Sequence, residues 1–118
     1  MSARSSLART VLLVDDTRLL RTMIAEHLNA LGYSVLVAPS GEEALRLAAG
    51  HEGPIDVLLT DVHMPGMAGP ELAERLKSSS PQIRIVFMSG TGGGALAGKV
   101  LVKPFTQEQL AEALTDAR

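Results

Sequence analysis

Three short apolar runs, each closed by charge, constrain this chain more than anything else in it. Val11-Leu12-Leu13-Val14 leads into Asp15-Asp16, Ile55-Asp56-Val57-Leu58-Leu59-Thr60 into Asp61, and Val100-Leu101-Val102 into Lys103. Apolar runs of this length, flanked by helical patterns, read as buried strands of a parallel sheet. In an open α/β sheet the functional crevice lies beyond the carboxyl ends of the strands. Three carboxylates and one ammonium are therefore expected to converge in a single pocket.

Strand and helix signals alternate along the whole chain, as βα units on a parallel sheet do. The first strand is expected at about Thr10–Val14. A helix follows from about Thr17 to Gly32, with Thr17 available as its cap and Leu19, Leu20, Met23, Ile24, Leu28 and Leu31 at helical spacing. Ser34–Ala38 reads as a second strand. Ser40-Gly41-Glu42-Glu43 is a capping-box pattern opening a helix through about Ala49, with Gly50 as its stop. The third strand is expected over Ile55–Thr60, with Asp56 as a surface or capping residue at the opposite end of the sheet from Asp61. Pro70–Lys77 is an amphipathic helix with acids early and bases late, matching the macrodipole. Arg84–Met88 and Val100–Val102 complete the strands, and Thr106-Gln107-Glu108-Gln109 opens a last helix through Leu110, Ala113 and Leu114.

One connection breaks the rhythm. Thr91-Gly92-Gly93-Gly94-Ala95-Leu96-Ala97-Gly98-Lys99 joins the fourth and fifth strands, and four of its nine residues are glycine. Each glycine costs a helix roughly 1 kcal/mol against alanine. Extended, such a segment reaches about 30 Å, against a return of roughly 15 Å along a strand and about 5 Å sideways. A loop or single turn suffices, so a full helix is not expected here. The glycines lack a Walker spacing and are not read as a phosphate cradle.

Composition narrows the function. The chain has 118 residues, the size of one domain, with residues 1–9 read as a flexible polar leader and 10–118 as the folded unit. A net charge of −2, with no basic run and no aromatic-interleaved patch, gives no reason to expect nucleic-acid binding. No apolar stretch approaches the roughly 20 residues of a membrane span, and the leader lacks the apolar core of a signal peptide. The absence of cysteine removes disulfides, thiolate ligands and a cysteine nucleophile. A cytoplasmic protein without a membrane partner is expected.

Asp15, Asp16 and Asp61 would repel one another in a partly desolvated pocket unless a cation sat among them. An oxygen-only set of one or two carboxylates, a backbone carbonyl and waters is the preference of Mg²⁺. With no cysteine, and His63 the only nearby histidine, a zinc site is not expected. A divalent metal beside a lysine supplies what phosphoryl transfer needs, because that chemistry is mostly positioning and charge stabilisation. A carboxylate then serves as nucleophile and forms an acyl phosphate. Ser89, at the end of the fourth strand, is placed to donate to a phosphoryl oxygen.

Asp15-Asp16, Asp61-Val62-His63-Met64-Pro65-Gly66, Met88-Ser89-Gly90 and Lys103-Pro104-Phe105 together resemble the receiver domain of two-component response regulators, from about Thr10 to Ala117. The resemblance implies a flavodoxin-like three-layer α/β sandwich with a five-stranded parallel sheet in the order 2-1-3-4-5. It makes Asp61 the phosphoacceptor and Asp15, Asp16, Asp61 and the backbone carbonyl of His63 the Mg²⁺ ligands, with Asp15 acting through metal-bound water. Lys103 and Ser89 match the phosphate-contacting pair, and Pro104 a proline whose peptide bond is often cis. His63 and Thr91 match positions that tune the lifetime of the phosphoryl group.

Two positions depart from the family pattern. Val100 stands where members carry an aromatic switch residue, and the Gly-rich segment replaces most of the helix between the fourth and fifth strands, leaving it absent or reduced. The expectation is a phosphorelay receiver rather than a turnover enzyme, since only its own phosphorylation and dephosphorylation are implied. A histidine kinase or phosphotransfer protein donates, and a downstream protein, or another part of a longer chain, reads the state. A monomer or weak dimer is expected. The alternative is a phosphorylation-independent interaction module on the same fold, which Val100 and the shortened connection favour slightly and the complete acidic pocket argues against. A metal-dependent phosphohydrolase would need a substrate cap for which this sequence has no segment.

Overall fold

Successive side chains of a strand face opposite sides of its sheet, and in this chain the alternation sorts two apolar cores. The computed structural model describes residues 9–90 and 98–116. Its elements run β1 (Thr10–Val14), α1 (Arg18–Ala30), β2 (Ser34–Ala38), α2 (Gly41–Gly50), β3 (Val57–Asp61), α3 (Gly69–Ser79), β4 (Arg84–Ser89), β5 (Lys99–Val102) and α4 (Gln107–Asp116). The five strands are all parallel, in the order β2-β1-β3-β4-β5. Leu12, Val14, Leu58, Val62, Ile85 and Phe87 face α2 and α3, packing on Ala44, Leu72 and Leu76. Val11, Leu13, Leu59, Val86, Met88 and Leu101 face α1 and α4, packing on Ile24, Leu28, Leu110 and Leu114. β1 and β3 are buried along their whole length, as their unbroken apolar runs predict.

The expected flavodoxin-like architecture is present, with four helices among the described residues. Residues 91–97 lie outside the description, so the expected loop there, and Thr91 with it, is not described. The same holds for residues 1–8 of the expected leader. Several boundaries differ from the sequence reading. β3 begins at Val57 and carries through Asp61, because Asp61 still pairs with Met88 in the ladder. β4 extends to Ser89, which pairs with Val102, and β5 starts one residue early at Lys99. α3 starts at Gly69 and runs to Ser79.

Of the two roles expected for Asp56, surface or capping, the structure shows the capping one, a tie at the start of β1. Its Oδ2 accepts the Thr10 N–H at 2.7 Å, and its own N–H donates to the Thr10 carbonyl at 2.9 Å. Three apolar positions of α1 also differ from expectation. Ile24 and Leu28 are buried, but Leu19, Met23 and Leu31 are exposed, Leu19 at 72%. α1 packs chiefly on β2 and β1, and its apolar stripe is wider than the strip they cover.

The caps were legible. Ser40 Oγ accepts the Glu43 N–H at 3.2 Å, while the Glu43 carboxylate turns to Arg46 instead of closing the reciprocal bond. At α4 both bonds form: the Gln109 N–H donates to Thr106 Oγ1 at 3.0 Å, and the Thr106 N–H to Gln109 Oε1 at 2.9 Å.

Candidate functional site

The acidic pair sits where β1 stops and turns into α1. Asp15 is fully buried and Asp16 is exposed. Asp15 Oδ1 accepts the Thr17 N–H at 2.7 Å, and the Arg21 guanidinium donates to the Asp15 carbonyl at 2.8 Å. Thr17 occupies the cap position of α1 but makes no side-chain cap bond, so Asp15 rather than Thr17 ties down the turn. The other carboxylate oxygen, Asp15 Oδ2, is buried with no hydrogen-bond partner.

Asp61 ends β3, the central strand, almost buried. Lys103 follows β5 and crosses the end of β4 to reach it. Lys103 Nζ lies 2.9 Å from Asp61 Oδ1 and 3.7 Å from Asp15 Oδ2. The backbone of Lys103 is fixed by its N–H, which donates to the Ser89 carbonyl at 2.8 Å. The Lys103–Pro104 peptide bond is cis, as the resemblance implied. Ser89 is buried at the end of β4, one residue beyond the Asp61–Met88 pair. His63 is exposed two residues after Asp61. Val100 is half-buried against the Phe87 side of the core, opposite Phe87 in the ladder.

Carboxylate oxygens from Asp15, Asp16 and Asp61 lie within 4.8 Å of one another. Burial pushes the Asp15 carboxyl up from its ordinary value, and the negative charges of Asp61 and Asp16 push the same way. The Thr17 N–H and the Lys103 ammonium pull it back only in part. A buried carboxylate oxygen with no hydrogen bond, close to two further carboxylates, fits a hard divalent cation, and the three clustered side chains offer oxygen donors only. The lysine contributes a positive charge between Asp61 Oδ1 and Asp15 Oδ2.

Some parts of this site were not visible in the sequence. Gly69 has no room for a Cβ, which would run into the Asp61 carbonyl oxygen and come within 3.2 Å of Val62 Cα. Its N–H donates to the Val62 carbonyl at 2.9 Å, locking the start of α3 against the end of β3. The signal was a glycine directly before the Pro70 of a helix N-terminus, where a side chain would otherwise be expected. His27 lines an open apolar groove of about 410 Å³ with Leu20, Met23, Phe105 and Leu110, next to Lys103.

A family model for the response regulator receiver domain matches residues 11–115. The chain belongs to that family. Among curated proteins it is 38% identical over 110 residues to the sensor kinase CckA of Brucella abortus (strain 2308), covering 86% of this chain and 12% of that one. It thus spans about an eighth of that relative's length. The crystal structure of the receiver domain from the hybrid histidine kinase CckA superposes with a TM-score of 0.81 at 37% identity, covering 92% of this chain and 97% of that one. The response regulator TrrA of Thermotoga maritima, solved in complex with Mg²⁺-BeF, gives a TM-score of 0.82 at 27% identity, covering 93% and 99%. This chain is a receiver domain of two-component signalling, and no described helix is long and apolar enough to cross a membrane.

Proposed function

We propose that this receiver takes a phosphoryl group from a phosphohistidine of a kinase or phosphotransfer protein onto Asp61, in a Mg²⁺-dependent reaction. The observation that carries the reading is the Asp61 carboxylate itself, held 2.9 Å from Lys103 Nζ and within 4.8 Å of two further carboxylates. An ionised carboxylate needs no general base. One of its oxygens attacks phosphorus, the donor's P–N bond breaks, and the imidazole leaves as the acyl phosphate forms. The Lys103 ammonium offsets charge on the phosphoryl oxygens, and Ser89, one register step away on β4, supplies a hydroxyl at the same edge.

Asp15, Asp16, Asp61 and the His63 carbonyl are the groups that would hold Mg²⁺, which supplies positive charge to the phosphoryl oxygens when bound. Burying Asp15 with one oxygen lacking a hydrogen bond disfavours the metal-free fold, a cost that a bound cation would offset. This supports the phosphoacceptor reading over a phosphorylation-independent module. His63 and Thr91 are proposed to set the phosphoryl lifetime, and a cytoplasmic monomer or weak dimer is proposed as the working form. With Val100 in place of an aromatic, the switch is proposed to run through Ser89.

Incubation with acetyl phosphate and Mg²⁺, followed by intact mass, tests the reading. Wild type gains one phosphoryl group, and Asp61→Asn and an EDTA-treated sample gain none. Equal labelling of Asp61→Asn would remove Asp61 from this role.

A further inference from the structure

β3 carries one hydroxyl inside an apolar face. Thr60 lies on the side of the sheet shared by Leu58 and Val62, and its ladder neighbours Val14 and Phe87 belong to the same apolar cluster. The side chain is fully buried. Valine would fill this volume and favour a strand equally well, whereas a buried hydroxyl costs stability unless it finds an acceptor. The acceptor here is the carbonyl oxygen of Asp61, with Thr60 Oγ1 donating at 3.0 Å. The same carbonyl oxygen lies so close to Gly69 that a Cβ there would overlap it. The Val62 N–H of the same peptide unit donates to the Met88 carbonyl at 3.0 Å, and on the next unit the Val62 carbonyl accepts from Gly69. The main chain on the C-terminal side of Asp61 is therefore held from three directions: the Thr60 hydroxyl, the start of α3 and the end of β4.

We propose that Thr60 is a positioning residue whose hydroxyl, acting with Gly69, fixes the Asp61 peptide and so aims the Asp61 carboxylate between Lys103 and the acidic pair. The inference rests on the reading of Asp61 as phosphoacceptor. A carboxylate is carried on a single Cβ, so rotation of its own peptide moves both oxygens. Transfer rates are sensitive to displacements of the nucleophile on the scale of an ångström, which can cost about a hundredfold. The Thr60 bond is one of several restraints, and its removal is expected to cost about tenfold.

The test compares wild type with Thr60→Val, Thr60→Ala and Thr60→Ser, reading the rate of acetyl-phosphate labelling by intact mass at saturating Mg²⁺ beside the thermal midpoint of each protein. Thr60→Val is expected to melt close to wild type yet label about tenfold more slowly, with Thr60→Ser restored to within about twofold. Should Thr60→Val fold poorly, the comparison of Thr60→Ala with Thr60→Ser carries the same contrast: both lose the methyl, and only serine keeps the hydroxyl. Labelling of Thr60→Val at the wild-type rate overturns the proposal. So does a Thr60→Ser protein as slow as Thr60→Ala, because packing of the methyl would then explain the loss. Failure of wild type to label with either acetyl phosphate or a phosphohistidine donor would instead bring down the phosphoacceptor reading, and this inference with it.

Discussion

At the scale of single residues, the account turns on Asp15. Its carboxylate is buried, one oxygen has no hydrogen bond, and burial raises its pKa above the ordinary 3.8. A carboxyl whose folded-state pKa is raised is bound to its proton more tightly by the folded chain. Below the unfolded value both states are protonated and no stability is lost. As pH rises above it, the unfolded state ionises first and the metal-free fold loses stability, until the raised value is passed and the penalty levels off. Asp15→Asn keeps an oxygen for the Thr17 N–H and removes the charge. In EDTA it is therefore expected to melt a few degrees above wild type, by a margin that opens above about pH 4. Added Mg²⁺ should reverse the order, since a ligand that binds only the folded wild type stabilises it by mass action, about 2.7 kcal/mol at a hundred times its Kd. Thermal unfolding with and without Mg²⁺ checks both statements. A less stable Asp15→Asn in EDTA would contradict the view that this carboxylate is strained without a cation.

At the scale of elements, the caps and the strand–helix joints separate stability from function. Ser40→Ala removes the bond to the Glu43 N–H and is expected to cost about 1 kcal/mol while labelling at the wild-type rate. Gly69→Ala places a methyl against the Asp61 carbonyl, so it should both lower the melting temperature and slow labelling. Measured side by side, the two variants distinguish loss of a helix end from displacement of the site. Much of this level was legible in the sequence. The apolar runs fixed the strands to within two residues, because a strand buried on both faces has no tolerance for polar residues. The capping boxes at Ser40 and Thr106 announced α2 and α4, because the orphan N–H groups of a helix start have few local solutions. What failed depended on tertiary packing. Helical spacing made Leu19, Met23 and Leu31 look like core, but how much of the stripe is covered depends on how α1 lies over β2 and β1, which periodicity does not encode. Asp56, Gly69 and Thr60 act through contacts on backbone groups, and nothing in their own residue type announces the partner.

At the scale of the whole molecule, the strand order assembles the site. β1 and β3 are neighbours, which brings the acidic pair beside Asp61, while Lys103 must reach across β4 from the sheet edge. Two strand spacings come to roughly 10 Å. That distance is bridged from a fixed base, because β4 ends in Ser89, whose carbonyl holds the Lys103 N–H. The four strand-end groups identified in the sequence thus share one crevice because the sheet is parallel and its order reverses beside β1. The central claim is that this crevice makes an acyl phosphate on one particular carboxylate. Reduction of the labelled protein with borohydride, which converts an aspartyl phosphate to homoserine, followed by peptide mass mapping, locates it. Homoserine at position 61 alone is the result predicted here, and homoserine at position 15 or 16, with Asp61 intact, would contradict it.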